Sequence, residues 1–205
     1  MAHPVQTARP TRRSRRTGLA LLLAGLLALT GCAANSGAEQ TRTGSQTGYV
    51  GTRQLTRVPV GDREKAPVVS GPRLGGSGTI SSADYAGTVL VINVWGSWCP
   101  PCREEAPGLQ KAAEETRGKA QFLGINNRDF GEAAPAAFVR ANKISYPSIF
   151  DPSGTQLVKF AGNLPPSAIP STLVIDAQGR IAVRILGPIS ADTLVDIVDD
   201  VAAGR

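Results

Sequence analysis

Histidine is almost missing from this chain of 205 residues, because its single copy is His3. Histidine is the usual general base near neutral pH, the commonest protein ligand of transition metals and a frequent ligand of haem iron. Beyond its first few residues, the sequence therefore excludes a catalytic histidine, a zinc centre that needs imidazole and a histidine-ligated haem.

A surplus of positive charge is also missing from most of the chain. Although the formal net charge is +6, five arginines precede Cys32 in a segment without acidic residues, and the remainder carries 17 basic and 16 acidic residues. These charges are interspersed, so the sequence offers no basic patch that could neutralise nucleic-acid phosphates. We expect no nucleic-acid binding, and the length and hydrophobic content suit one compact domain behind an export leader.

The first 31 residues have the anatomy of an export signal. Residues 1–18 are polar and rich in arginine, residues 19–29 are almost entirely apolar, and small residues lead to Cys32. The apolar run is shorter than the roughly 20 residues that a membrane-spanning helix needs. We therefore predict a cleaved signal peptide at residues 1–31 rather than a permanent transmembrane helix.

The end of this leader, Leu-Thr-Gly-Cys at residues 29–32, resembles the lipobox of bacterial lipoproteins. The resemblance implies that Cys32 carries lipid and anchors the mature chain, with an ordinary signal peptide or a structural cysteine as the alternative. Residues 14–19 resemble a twin-arginine signal, so twin-arginine and general secretory export both stay open. Residues 32–70 are rich in small and polar residues, a composition that predicts a flexible tether.

The hydrophobic pattern of residues 71–205 predicts an α/β domain. Residues 89–94 form a β-branched run typical of a strand buried on both faces, and Leu109, Ala112, Ala113 and Thr116 recur at helical spacing before residues 121–125 return to strand character. A second helix from Pro135 to about residue 143 and an extended segment at residues 146–150 follow this βαβ unit.

The C-terminal part of the domain predicts two strands and a helix. Strands at residues 172–176 and 181–186 flank a hairpin signal, and Ser190 is a suitable cap for a closing helix. The apolar face of that helix carries four residues: Leu194, Ile197, Val198 and Val201. The whole order is a thioredoxin-like layout, with a central mixed sheet flanked by helices.

The most specific signal is Trp-Gly-Ser-Trp-Cys-Pro-Pro-Cys at residues 95–102, between a predicted strand and a predicted helix. A sulfur at a helix N-terminus meets unpaired backbone N–H groups and the positive end of the helix dipole, which favour the thiolate. We therefore predict Cys99 as the nucleophile. Cys102, on the first helical turn, is close enough to form a disulfide with it and to attack a mixed disulfide.

Three other interpretations of the cysteine pair are weaker. A zinc half-site would need two further ligands, and the mature chain offers only the distant Cys32. A c-type haem site would need histidine after the second cysteine, where Arg103 stands. A static disulfide is possible in an exported protein, but so short a loop adds little stability. We expect no metal, and no cofactor other than the redox-active disulfide Cys99–Cys102.

The motif and its surroundings, Val-Ile-Asn-Val-Trp-Gly-Ser-Trp-Cys-Pro-Pro-Cys-Arg-Glu-Glu-Ala-Pro at residues 91–107, resemble the TlpA/ResA family of extracytoplasmic thioredoxins. The resemblance extends over roughly residues 70–203. In that family a cis-proline forms a backbone platform for the substrate cysteine, and Ile169-Pro170 before a predicted strand matches it. The resemblance implies that Trp98, Pro100 and Pro101 also contact substrate, whereas Trp95 is expected in the core.

Glu105 matches a glutamate that the cytochrome c maturation branch of this family places near the cysteine pair. A partly buried carboxylate there would disfavour the thiolate and relay protons during exchange. The alternative is a helix glutamate that faces solvent. Asn93 stands where cytoplasmic thioredoxins carry a buried aspartate, so the aspartate's role as proton acceptor would fall to Glu105.

The resemblance implies a membrane-anchored thiol-disulfide oxidoreductase on the outer face of a bacterial cell membrane. Its implied role is to take electrons from a membrane thiol carrier of CcdA type and to reduce the disulfide of apocytochrome c. Two alternatives stay open: an oxidase that introduces disulfides into secreted proteins, and a non-catalytic module that binds peptides. Since fold alone does not set the direction of electron flow, the sequence leaves that direction undecided.

Overall fold

The computed structural model describes residues 46–50 and 53–205, and side chains from residue 54 onward. The predicted signal peptide and Cys32 lie outside these residues. The strands of the described part are nine: Gln46–Val50 (β1), Arg53–Arg57 (β2), Ser70–Pro72 (β3), Thr79–Ser81 (β4), Val89–Trp95 (β5), Ala120–Asn127 (β6), Ser148–Asp151 (β7), Ser171–Ile175 (β8) and Ile181–Leu186 (β9).

The α-helices connect these strands or close the chain. Their ranges are Pro100–Glu115 (α1), Ala133–Ala141 (α2), Thr155–Val158 (α3) and Ala191–Ala202 (α4). Short 3-10 turns occur at Val60–Asp62 and Ser82–Tyr85. None of the helices within residues 46–50 and 53–205 combines the length and the apolar character that crossing a membrane requires.

The main sheet has seven strands in the order β1-β2-β9-β8-β5-β6-β7, and β3 and β4 form a separate hairpin. The β5-β6 and β6-β7 pairs are parallel, whereas β8 runs antiparallel to β5. This mixed sheet with helices around it confirms the predicted thioredoxin-like fold. The βαβ unit, the inserted α2 and β7, and the final ββα occur in the predicted order.

Strand β5 is the centre of the core, because all seven of its residues are buried. Val89 and Val91 pack with residues of α1 and α4, while Ile92 and Val94 pack with the opposite apolar cluster, which contains Phe160. This division follows from the two-residue period of a strand. The four residues predicted for the apolar face of α4 are all buried, and Ser190 caps that helix by accepting the N–H of Thr193.

The folded domain begins earlier in the chain than the predicted start at residue 71. Strand β2 pairs antiparallel with β9, the N–H of Val58 donates to the Ala182 carbonyl (2.8 Å), and Val69 is completely buried. The prediction of a tether through residue 70 relied on the scarcity of large apolar residues. A polar segment can nevertheless add a strand, because backbone hydrogen bonds to an available sheet edge do not depend on side-chain type.

Candidate active site

Cys99 and Cys102 form a disulfide at the N-terminus of α1, directly beyond the carboxyl end of β5. Cys99 is the residue that caps the helix, and its Sγ accepts the backbone N–H of Cys102 at 3.3 Å. Both residues are nearly inaccessible, with exposed fractions of 2% and 3%. A substrate can therefore bring its sulfur to Cys99 only if it packs against the residues that surround the disulfide.

The two prolines between the cysteines occupy the first two positions of α1. Neither has an N–H group, so neither can donate to a sulfur. The N–H of Arg103 donates to the carbonyl of Cys99 at 3.2 Å. The first turn thus presents the Cys99 sulfur with one backbone donor, that of Cys102, where a helix without these prolines could offer more.

The two tryptophans have different environments. Trp95 is buried beside the cysteine pair, its Nε1 donates to the Ser148 Oγ at 3.2 Å, and its ring centroid lies 5.3 Å from that of Phe138. Trp98 is 48% exposed, and its Nε1 donates to the Asn127 carbonyl at 3.0 Å. Trp95 therefore belongs to the core, while about half of the Trp98 side chain is exposed, directly before Cys99.

The second loop at the site contains Ile169 and Pro170, and the peptide bond between them is cis. Ile169 is half-buried and packs against the cluster that contains both cysteines. Pro170 is buried, and its carbonyl accepts the N–H of Gly187 at 2.9 Å. This contact fixes the backbone that follows Ile169 at the site. Pro100, by contrast, is exposed on the helix side of the disulfide.

Glu105 lies one turn after Cys102 on α1 and is buried rather than facing solvent. One carboxylate oxygen accepts the side-chain amide of Asn93 at 3.0 Å, and the other accepts the Ile189 N–H at 3.1 Å. Asn93 also donates to the Thr172 hydroxyl at 3.2 Å. Because residues three apart share a helix face, the carboxyl group lies beneath the disulfide in a fixed polar network.

Tyr146 belongs to the same buried region and lines a small cavity together with Cys102 and Asn93. Burial, and then the negative charge of Glu105, raise the pKa of Tyr146 above its ordinary value. Its hydroxyl therefore stays protonated over the physiological range.

A polar cluster on the other side of the disulfide was not predicted. Asp129 accepts the N–H of Ser97 at 2.9 Å, the Ser97 hydroxyl at 2.5 Å and the Asn126 amide at 2.7 Å. These bonds join the loop after β6 to the loop that carries the cysteines. The sequence did contain a signal for this cluster, namely the polar run that begins at Asn126. Because the parallel strands β5 and β6 end at the same edge of the sheet, polar residues after β6 are expected close to the loop after β5.

The family model described as AhpC/TSA family matches residues 63–184. A curated relative, the thiol:disulfide interchange protein HelX of Rhodobacter capsulatus, is 30% identical over 142 residues, which are 69% of this chain and 77% of HelX. The residues that the family model matches include β5, the cysteine pair and the cis-proline loop.

Two solved structures are similar as well. A DsbF homologue from Corynebacterium diphtheriae has a TM-score of 0.68 at 33% identity, covering 77% of this chain and 99% of that one. A secreted thiol-disulfide isomerase from Corynebacterium glutamicum has a TM-score of 0.69 at 30% identity, covering 78% and 99%. Their similarity confirms the predicted extracytoplasmic-thioredoxin resemblance.

Proposed function

Because this chain belongs to the AhpC/TSA family and is a thiol-disulfide oxidoreductase, we propose that it exchanges electrons with cysteine pairs of protein substrates outside the cytoplasm. We propose further that it acts as a reductase whose client is apocytochrome c. The observation that carries the proposal is the geometry of Cys99 and Cys102 at the start of α1, above the buried Glu105.

Reduction of a client proceeds in two exchanges. The Cys99 thiolate attacks one sulfur of the client disulfide, forming a mixed disulfide and releasing the other client sulfur as a thiolate, which takes a proton. Cys102 then loses its proton and attacks the Cys99 sulfur, which releases the second client thiol and leaves the Cys99–Cys102 disulfide. Two electrons have passed to the client, and we assign to Glu105 the proton that Cys102 loses.

Two features of the site favour the reducing direction. A thiol-disulfide protein is a strong oxidant when its reduced form is stabilised. Stabilising the thiolate of its nucleophilic cysteine is one way to stabilise the reduced form. Here Pro100 and Pro101 remove two backbone donors from the turn next to the Cys99 sulfur, and a carboxyl group lies beneath the pair. Both features reduce thiolate stabilisation, so the dithiol form gives up its electrons more readily.

The partners and location follow from the resemblance to the TlpA/ResA family. A membrane thiol carrier of CcdA type would regenerate the dithiol, and lipid on Cys32 would hold the protein at the outer face of the membrane. Multiple acyl chains make such anchoring stable, since each buried methylene adds about 0.8 kcal/mol. Mass spectrometry of the membrane fraction would detect acyl groups on Cys32, and an unmodified Cys32 would contradict the anchor.

A second candidate is an enzyme that oxidises or isomerises disulfides in secreted proteins. The similarity to the solved secreted thiol-disulfide isomerase from Corynebacterium glutamicum supports it, because that match covers almost the whole of the other chain. The same two cysteines would serve this activity. Only the reduction potential and the partner that restores the active form would differ.

The reduction potential decides between the two candidates. The mature chain is equilibrated in graded thiol-disulfide buffers, and the fraction of reduced cysteine pair is read by alkylation. We expect a value near or below about −220 mV, in the range of glutaredoxins and thioredoxins, whereas a value near about −120 mV would identify an oxidant. Pro100→Ala is the matched variant: it restores one backbone N–H and should raise the potential.

A further inference from the structure

The last residue of β6 and the loop that follows it, residues 127–130, contact the segment that directly precedes Cys99. Three hydrogen bonds from two residues connect residues 127–130 to the loop that carries the cysteines. Trp98 donates to the Asn127 carbonyl, and the backbone N–H and hydroxyl of Ser97 both donate to Asp129. Ser97 and Trp98 directly precede Cys99. The loop is thus held within a few residues of the reacting sulfur.

The same loop is also tied to the segment before the cis-proline. The Nη2 of Arg128 donates to the Pro166 carbonyl at 3.2 Å. Arg128 has a φ of 58°, in the left-handed region that is unfavourable for a residue with a β-carbon. Such a conformation persists where surrounding contacts enforce it, and here contacts on both sides of Arg128 do so.

The held loop carries Phe130, whose side chain is fully exposed. Of the described residues, Phe130 and Trp98 are the two aromatic ones among the exposed large hydrophobics, and the others are isolated valines. Trp98 and Phe130 directly follow Ser97 and Asp129, the two residues that these hydrogen bonds join. Since Cys99 is buried, a polypeptide whose sulfur reaches it must cover this neighbourhood.

From these contacts we infer that Phe130 is a specificity-determining residue, which binds an apolar side chain close to the reactive cysteine of a polypeptide substrate. The inference rests on the proposed function and adds a substrate preference to it. Phe130 takes no part in the sulfur chemistry. It supplies apolar surface that is buried only when a substrate is docked. It therefore strengthens the binding of the substrate and stabilises the mixed disulfide.

The test compares Phe130→Ala with Val68→Ala in the mature protein. Val68 is an exposed apolar residue that lines a cavity together with Leu90 and Ile175, at the opposite end of β5 from Cys99. Substrates are two cyclic disulfide peptides that differ only in having leucine or serine beside each cysteine, and oxidised glutathione. The second-order rate constant for oxidation of the reduced protein is measured with each.

We expect the wild-type protein to react faster with the leucine peptide than with the serine peptide. Phe130→Ala should slow the leucine reaction about tenfold, equivalent to about 1.4 kcal/mol, and leave the serine peptide and glutathione within about twofold of wild type. Val68→Ala should change none of the rates, and Phe130→Ala should leave the reduction potential unchanged.

An equal loss with all three substrates, or no loss with the leucine peptide, would overturn the inference. An equal loss would mean that Phe130 acts on the reactivity of Cys99, and no loss would mean that the ring contacts no substrate. A wild-type protein that reacts with glutathione but with neither peptide would overturn the proposed function itself, which is a distinguishable result.

Discussion

The two ends of the central sheet each hold a buried carboxylate, and the two have different partners. At the disulfide end, Glu105 accepts hydrogen bonds from the neutral amides of Asn93 and Ile189. At the opposite end, just after β8, Asp176 accepts the guanidinium groups of Arg63 at 3.2 Å and Arg180 at 3.0 Å.

The difference in partners corresponds to a difference in role. Burial opposes ionisation of Asp176, but backbone and side-chain hydrogen bonds from Arg180 and a bond from Arg63 outweigh it and hold the pKa of Asp176 below its ordinary value. Asp176 therefore stays charged and ties the N-terminal segment to the β8-β9 hairpin. In the proposed exchange, by contrast, Glu105 accepts the proton that Cys102 loses.

The largest expected effect concerns the disulfide end. Cys99→Ser should lower the rate of thiol-disulfide exchange with protein substrates by at least about a thousandfold, because the nucleophile is gone. Exchange is followed by alkylation of the substrate thiols. Cys102→Ser is the matched variant, and it should accumulate a mixed disulfide with the substrate on non-reducing gels, since the resolving thiol is missing. Accumulation with Cys99→Ser instead would reverse the assigned roles.

A substitution at the opposite end of the sheet should lower the stability of the protein and leave the rate of thiol-disulfide exchange unchanged. Asp176→Asn removes the charge that Arg63 and Arg180 face, and breaking such a buried pair costs about 3 kcal/mol. Urea unfolding should show this loss in the free energy of unfolding. Exchange rates at a temperature where the variant is folded should match wild type. A variant as stable as wild type would show that the ion pairs contribute little.

The pH dependence of stability should report on the same group. Since the folded pKa of Asp176 lies below its unfolded value of about 3.8, its contribution is complete above that value and is lost as pH falls through the folded pKa. Urea unfolding from pH 7 down to pH 3 should therefore show a steeper decline for wild type than for Asp176→Asn. Parallel curves would contradict the assignment.

Glu105→Gln should have a moderate effect at the disulfide end. The amide keeps the shape of the side chain but removes the negative charge beneath the sulfurs, so the thiolate is less disfavoured. The reduced protein should be alkylated by iodoacetamide at pH 7 about tenfold faster than wild type. Glu104→Gln, an exposed neighbour on α1, is the control, and an equal change in both variants would contradict a special role for Glu105.

The smallest expected effect concerns the exposed ion pair between Lys119 and Asp199, whose atoms lie 2.7 Å apart. Both side chains are largely solvated, and such pairs contribute less than about 1 kcal/mol. Lys119→Ala should lower the free energy of unfolding by at most about 0.5 kcal/mol. A loss as large as that of Asp176→Asn would remove the contrast between buried and exposed pairs.

Much of the fold was predictable from the sequence because its strongest patterns are local. The apolar run of β5, the helical spacing of α1 and the caps and apolar face of α4 each reflect burial of side chains on a regular element. The cysteine motif was recognisable for a similar reason, since its position between a strand and a helix is itself a local pattern.

The unpredicted features depend on contacts between distant segments. Strand β2 is polar, and it is a strand because β9 offers it an edge. Asp129 reaches Ser97 across 32 residues, and Arg63 reaches Asp176 across 113. No local composition indicates such pairings. The exposure of Phe130 could not be predicted either, because an apolar residue next to a helix is normally expected to be buried.

The place of β1 and β2 in the sheet has a consequence for how far the domain could extend from a membrane. If lipid is attached at Cys32, 13 residues separate the anchor from Gln46, where β1 begins, rather than the 38 of a tether that ends at residue 70. Fully extended, those residues span at most about 45 Å. Under the proposed reductase function, a membrane-bound electron donor would then meet the disulfide of a domain kept near the lipid surface, and clients would have to come to that surface to be reduced.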